Sequence, residues 1–286
     1  MTLLSRSLAS LVCLLSLAPA SALAQQASVE GPPPIMVINR EFLKPGRGGS
    51  AHEKTEAAYL AAARAGKAPF NYFALTSMTG PDQALFVSNY ASFAEWEAQN
   101  KLADKTPALG MSLDHAMLAD GDLLSSTDTT VWMHRPDLSL NESSLAGVRY
   151  MEIQQVHIKP GHMKELEDWA KMYNAGFKNI PGANWAAYQQ VYGNDSNIFL
   201  FITLYKSLSE TDAAMGPSFK SFMAAVGEGG MKKLDAMEQD VAQSESLNLF
   251  RISPKMSLVP DAIIKQDPDF WKPKPAAPKP AAKPAP

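Results

Sequence analysis

The chain has 286 residues, 46% of them hydrophobic and 19% charged, enough for one or two domains with a sizeable core. Cys13 is the only cysteine, so the chain beyond it has no disulfide, no thiolate metal ligand and no cysteine nucleophile. The formal net charge is −3, and five positive charges lie near the two ends (Arg6 and four lysines from Lys272 onward), which leaves the central body at −8; so acidic a body disfavours nucleic-acid binding.

Residues 1–24, MTLLSRSLASLVCLLSLAPASALA, carry one positive charge, an apolar core and an Ala-Leu-Ala ending. They are expected to act as a signal peptide cleaved before Gln25, which makes the product exported, periplasmic or secreted. No later run reaches the about 20 apolar residues of a membrane span. Residues 25–34 form a linker, and a strand is expected from 35 to 43, ending at Lys44-Pro45-Gly46. Proline fixes φ there and glycine allows the sharp turn. A helix follows, then strands over about 70–78 and 84–90 separated by Gly80-Pro81-Asp82, a helical region, and a last strand over about 129–135.

The same order returns after a linker at 141–148. A strand is expected over 150–158 with its own Lys159-Pro160-Gly161 turn. A helix follows with Leu166, Trp169, Ala170, Tyr173 and Phe177 on one face, then strands over 184–192 and 197–205, a helical region and a strand at 247–252. At a constant offset of 115, residues 40–95 lie over 155–210, with Phe70 on Trp185, Phe73 on Tyr188 and Leu85-Phe86-Val87 on Leu200-Phe201-Ile202. The expected domains are therefore two repeats, 35–140 and 149–258, each β-α-β-β-α-β in the ferredoxin-like arrangement. Residues 259–286 form a Lys/Pro/Ala-rich tail, expected to be disordered and suited to contact with a cell wall or an anionic surface.

The stretch Tyr150-Met151-Glu152-Ile153-Gln154-Gln155-Val156-His157-Ile158-Lys159-Pro160-Gly161 resembles the first strand and turn of the dimeric α+β barrel superfamily, in particular its NIPSNAP-like and antibiotic-biosynthesis-monooxygenase-like groups. The resemblance spans about 35–140 and 149–255. It implies an α+β fold in which two ferredoxin-like sheets pack as an intrachain dimeric barrel, with ligand pockets inside the barrel or between sheet and helices. Members include cofactor-free oxygenases of aromatic compounds, heme-binding and heme-degrading proteins, and isomerases. The fold alone selects none of these.

Strand alternation sorts the candidate side chains. Leu85, Val87, Leu200, Ile202 and Leu204 are assigned to the helix-covered face; Phe86, Ser88, Tyr90, Phe201, Thr203 and Tyr205 are assigned to the barrel face. Ile38, Arg40, Phe42, Ile153, Gln155 and His157 are also expected on the barrel face, the family placing pocket residues at this parity, with Trp132 and His134 opposite Leu249 and Arg251. The expected site is one asymmetric pocket for a small aromatic molecule. His157 serves as acid/base there because imidazole titrates near neutrality. Arg40 or Arg251 holds an anion, Tyr90 or Tyr205 donates a hydrogen bond, and Gln155, His134, Phe42, Trp132 and Trp185 complete the lining. No tightly bound cofactor is expected; heme, with an axial histidine such as His157 or His115, is the alternative, and a non-catalytic envelope binding protein is a third. No metal site is expected, because the zinc-binding His-Glu-x-x-His spacing is absent and His52 and His115 have no diagnostic neighbour.

Overall fold

The computed structural model describes residues 31–195 and 197–272. The signal segment, residues 25–30 of the linker and residues 273–286 of the tail lie outside the described residues. Eight antiparallel strands close a barrel in the order β1-β3-β2-β8-β5-β7-β6-β4. The strands are β1 (Ile35–Leu43), β2 (Tyr72–Ser77), β3 (Gln83–Tyr90), β4 (Leu124–His134), β5 (Tyr150–Ile158), β6 (Ala186–Tyr192), β7 (Ile198–Tyr205) and β8 (Ala242–Leu258). Helices α1 (Ser50–Ala65), α2 (Phe93–Asp104) and α3 (Pro107–Gly121) belong to the first half of the chain. The second half carries α4 (Met163–Phe177), α5 (Leu208–Ala213), a π-helical turn (Ala214–Ser218) and α6 (Phe219–Val241). Among the described residues, no helix is long and apolar enough to cross a membrane.

Each half contributes four neighbouring strands in the same permutation, β4-β1-β3-β2 and β8-β5-β7-β6. Their central pairings share one register at the offset of 115: Arg40 faces Leu85, and Gln155 faces Leu200. Both Lys-Pro-Gly corners are closed by the amide after the glycine, which donates to the lysine carbonyl at 3.0 Å (Arg47 to Lys44) and 3.2 Å (His162 to Lys159). Gly46 and Gly161 have φ of 74° and 89°, the positive values that a type II turn with proline at its first corner requires.

An eight-stranded barrel encloses a space that side chains can fill. Met36, Ile38, Phe73, Leu75, Leu85, Val87, Trp132, Met151, Ile153, Tyr188, Leu200, Ile202, Phe250 and Ile252 fill it as one apolar cluster. This reverses the assignment of β3 and β7: Leu85, Val87, Leu200 and Ile202 point into the barrel, whereas Phe86 and Phe201 join the clusters under the helices. The reason is that both faces of these strands are apolar and buried. A strand covered on both sides has no alternation to read.

Two further boundaries differ from expectation. Strand β8 is 17 residues long rather than six. The segment from residue 259, assigned by composition to the tail, begins with two short helices, α7 (Asp261–Gln266) and α8 (Pro268–Trp271). Ile263 and Trp271 are buried against the barrel's inner cluster, and the Arg149 guanidinium pairs with Asp267 while lying 3.9 Å from the centre of the Phe270 ring. Apolar burial and an ion pair hold this part of the chain, which the Lys/Pro/Ala composition farther along does not reflect.

Candidate functional site

Under the helices of the second half lies a cavity of about 790 Å³, within the range of about 300–1,000 Å³ usual for small-molecule sites. Its floor is the outer face of β5 and β7, from which Glu152, Gln154, Phe201, Thr203 and Tyr205 project. Alternation along the strand makes this face the opposite of the one carrying Ile153 and His157. Its roof is α4, whose 3.6-residue periodicity brings Trp169, Ala170, Tyr173 and Phe177 to one side. Part of this face is also core: the Phe177 and Phe222 rings stack at 4.2 Å, and Tyr173 stacks on Phe222 at 5.2 Å. The mouth is formed by the π-helical turn, with Met215, Ser218 and Phe219 on the lining. Pro217 stands within that turn and lacks the N–H that regular helix bonding would use, a local cause of the wider winding.

The charged groups in this apolar chamber are mainly carboxylates. Glu152, Glu210, Glu238 and Glu245 line it, with Lys206 as the one cationic lining side chain among the described residues. Burial raises the Glu152 carboxyl above the usual glutamate range, and the Tyr205 hydroxyl, 3.5 Å from its Oε1, partly offsets this by donating a hydrogen bond. Burial likewise raises the Tyr205 hydroxyl, with Glu152 adding to the shift. The Glu238 carboxyl is raised by burial and then by Glu245 and Asp235, and burial with Glu238 and Glu245 pushes the Tyr173 hydroxyl up to about 12. Gln154 Nε2 donates to Glu245 Oε1 at 2.6 Å and fixes that carboxylate. A half-buried carboxyl with raised proton affinity, beside a tyrosine hydroxyl and among aromatic walls, has the setting of a group that takes or gives a proton.

The residues singled out from the sequence occupy four separate places. Tyr205 and Trp185 meet in this cavity, although Tyr205 was assigned to the barrel face. Trp185 is fixed by its Nε1, which donates to the Leu138 carbonyl at 3.0 Å. Tyr90, the counterpart of Tyr205, is buried beneath the helices of the first half, stacked on Trp96 at 5.9 Å and donating to Gln99 at 2.8 Å. Arg40, Phe42, Gln155 and His157 lie on the inner face, toward the ends of β1 and β5. Burial lowers the Arg40 pKa, Asp128 on the neighbouring strand opposing the shift, and the guanidinium lies 5.7 Å from the Phe42 ring centre. His157 pairs with Asp195 at 2.9 Å.

Trp132 belongs to the barrel core, 1% exposed, its Nε1 donating to Thr130 at 2.8 Å. His134 pairs with Glu142 at 2.5 Å and lies 5.3 Å from the Tyr188 ring. Arg251 is exposed on β8, opposite Thr76 and Tyr150, so it does not reach a pocket: its position along β8 puts it out of phase with the inward-facing Phe250 and Ile252. The expected single pocket is thus replaced by a cavity whose main polar residue, Glu152, sequence reasoning missed. A signal existed: Glu152 is the one acid in the strand YMEIQQVHI, and the offset of 115 sets it on Val37.

Among the described residues no histidine lines the cavity, and its charged groups are mainly carboxylates. The donor set present therefore does not suit a histidine-ligated heme there.

No family model and no curated protein sequence matches the chain. Among solved structures it is similar to a protein provisionally named a monooxygenase from Fusobacterium nucleatum, with a TM-score of 0.49 and 11% identity over 77% of this chain and 93% of that one. It is similar to an anthrone oxidase-like protein, with a TM-score of 0.47 and 8% identity over 77% of this chain and 91% of that one. A third likeness is to a chlorite dismutase variant from Candidatus Nitrospira defluvii, with a TM-score of 0.46 and 9% identity over 86% of this chain and 99% of that one. Likenesses this distant assign no chemistry, and the functional reading rests on the cavity's own residues.

Proposed function

We propose that the chain is an exported enzyme of the dimeric α+β barrel kind, built from two tandem ferredoxin-like repeats, that binds a small aromatic molecule in the second-half cavity and moves a proton through Glu152. The observation that carries this reading is the Glu152–Tyr205 pair, 3.5 Å apart, set in an aromatic chamber whose other charged groups are mostly acidic. Such a lining favours a ligand bearing a phenol, an amine or another hydrogen-bond donor over a carboxylate. Ionised Glu152 accepts the ligand's acidic proton, and the Tyr205 hydroxyl donates to the oxygen on which negative charge develops. Proton removal of this kind opens cofactor-independent oxygenase, isomerase and lyase reactions alike. The lysine-rich end of the chain would hold the enzyme at an anionic surface after export.

Calorimetric titration with a panel of phenols, aromatic amines and benzoates tests this. Saturable binding of the donors, weaker binding of benzoates and about tenfold weaker binding in Glu152→Gln, with His157→Ala unchanged, are expected, the loss matching about one charge-assisted hydrogen bond. Ligand proton exchange followed by NMR should stop in Glu152→Gln. Equal affinity for benzoates, or binding indifferent to Glu152, overturns the reading. Binding without proton exchange in the wild type would make the chain a binding protein and remove the catalytic part.

A further inference from the structure

A second polar site lies under the helices of the first half, remote in sequence from the cavity and independent of its reading. Glu41 on the outer face of β1, His52 and Glu56 one helical turn apart on α1, and Asp120 near the end of α3 bring one ligating atom each within 4.8 Å of one another. His52 Nε2 stands 2.9 Å from Glu41 Oε2, 3.5 Å from Asp120 Oδ1 and 4.0 Å from Glu56 Oε1. Ligands each about 2.1 Å from a common ion lie about 3 to 4.2 Å apart, so these spacings are those of a coordination shell. His52, Glu56 and Asp120 are 2%, 6% and 4% exposed. We propose that Glu41, His52, Glu56 and Asp120 bind one structural first-row divalent cation that ties β1, α1 and α3 together.

Three observations point to a cation beyond the gathering of acids. The Glu56 carboxylate is directed into the cluster yet accepts no hydrogen bond among the described residues, its one partner being His52 at 4.0 Å. The Tyr72 hydroxyl, on a side chain 7% exposed, is buried without a hydrogen-bond partner, and Glu56 is the strongest charge acting on it. Charge is also unbalanced: among the described residues no lysine or arginine pairs with any of the three carboxylates. Three carboxylates and one imidazole at this depth need protons or a metal ion to offset their mutual repulsion. Thr55 Oγ1 donates to Asp120 Oδ1 at 2.5 Å and orients that carboxylate, as outer partners of metal ligands do. One nitrogen and three oxygen donors with no sulfur suit Mn²⁺, Fe²⁺ or Zn²⁺. The His52–Glu56 spacing of four residues was the sequence signal; Glu41 and Asp120 join it only through the fold.

The test uses tag-free full chain, stripped with a chelator and titrated with Mn²⁺ or Zn²⁺ by calorimetry, with electron paramagnetic resonance of bound Mn²⁺ and a thermal melt at each concentration. One ion per chain and a rising thermal midpoint are expected. Glu56→Gln replaces the acid by its neutral isostere, keeps the ion-free fold, and should weaken binding by at least the about 100-fold that loss of an outer partner can cost. His52→Gln should do the same, and Thr55→Val, which leaves all four ligands, should weaken binding by about 10-fold or more. Absence of saturable binding overturns the proposal, as does binding that is equal in wild type and Glu56→Gln. A folded, ion-free Glu56→Gln more stable than the ion-saturated wild type would assign the cluster to shared protons instead.

Discussion

The two halves of the barrel share strands, corners and register, and differ in what lies between sheet and helices. In the first half Val37 packs with Ile35, Tyr90 and Val131. The equivalent position of the second half holds Glu152, and the chain there leaves a cavity of about 790 Å³. The exchange runs the other way two turns of the pleat along: Glu41 joins a buried polar cluster, while its counterpart Val156 is 2% exposed in an apolar one. The inner faces cannot diverge so freely, because both contribute to one closed core. Each outer layer closes on its own helices, so a polar group can replace an apolar one in one half without disturbing the other.

The largest effect expected from breaking this comparison comes from moving the acid across. Val37→Glu puts a carboxylate into a packed apolar layer with no chamber, where the neighbouring Tyr90 hydroxyl already donates to Gln99, and should cost about 3–5 kcal/mol, as uncompensated buried charges do. Glu152→Val should change stability by less than about 1 kcal/mol, since the lost group is itself desolvated and partly exposed, while weakening ligand binding by about tenfold or more. Chemical denaturation of both variants reads the contrast. Equal costs would mean that the second cavity is no more tolerant of charge than the first layer, and would weaken the case that it is a site.

Strand positions were legible because each half repeats the same breakers around the same apolar runs; β1 and β5 match the expected spans. Which face looks inward was not, for Ala84-Leu85-Phe86-Val87 and Phe199-Leu200-Phe201-Ile202 are buried on both sides. That inversion moved Tyr205 to the wrong layer, whereas His157, placed by the parity of its own strand, lies on the inner face as expected and Glu152 on the outer one. Trp185 and Trp132 had equally apolar sequence settings, yet Trp185 lies on the second-half cavity and Trp132 in the barrel core. Arg251 shows the remaining gap: alternation along a 17-residue strand accumulates uncertainty from its unknown starting point.

A smaller effect separates the halves by pH. Burial raises the folded-state pKa of Glu152 above its unfolded value. Its contribution to stability is thus fully present below the ordinary glutamate pKa and is lost as pH rises through the raised folded value. Binding of an aromatic amine follows the opposite course, strengthening as Glu152 ionises over that interval, by about tenfold for one charge-assisted contact. Glu238, its carboxyl also raised by burial, lines the same cavity, so the diagnostic quantity is the part of the pH dependence that Glu152→Gln removes. Titration at several pH values with the variant alongside measures it; a pH profile identical in both proteins would transfer the role to Glu238.

The smallest effect concerns what the halves have in common. Gly46 and Gly161 occupy the same corner with φ of 74° and 89°, and a Cβ added at either would meet nothing within 4 Å. The cost of Gly→Ala is therefore conformational alone. A left-handed residue with a side chain costs about 1–2 kcal/mol, and the reduced freedom of the unfolded chain returns about 0.4–1 kcal/mol, leaving about 1 kcal/mol at each position. The two variants should lose the same stability and leave ligand binding untouched, although Gly161 lies four residues beyond His157 and Gly46 has no histidine near it. A larger loss at Gly161, or a change in binding there, would show that the second corner positions His157 for a task beyond turning the chain.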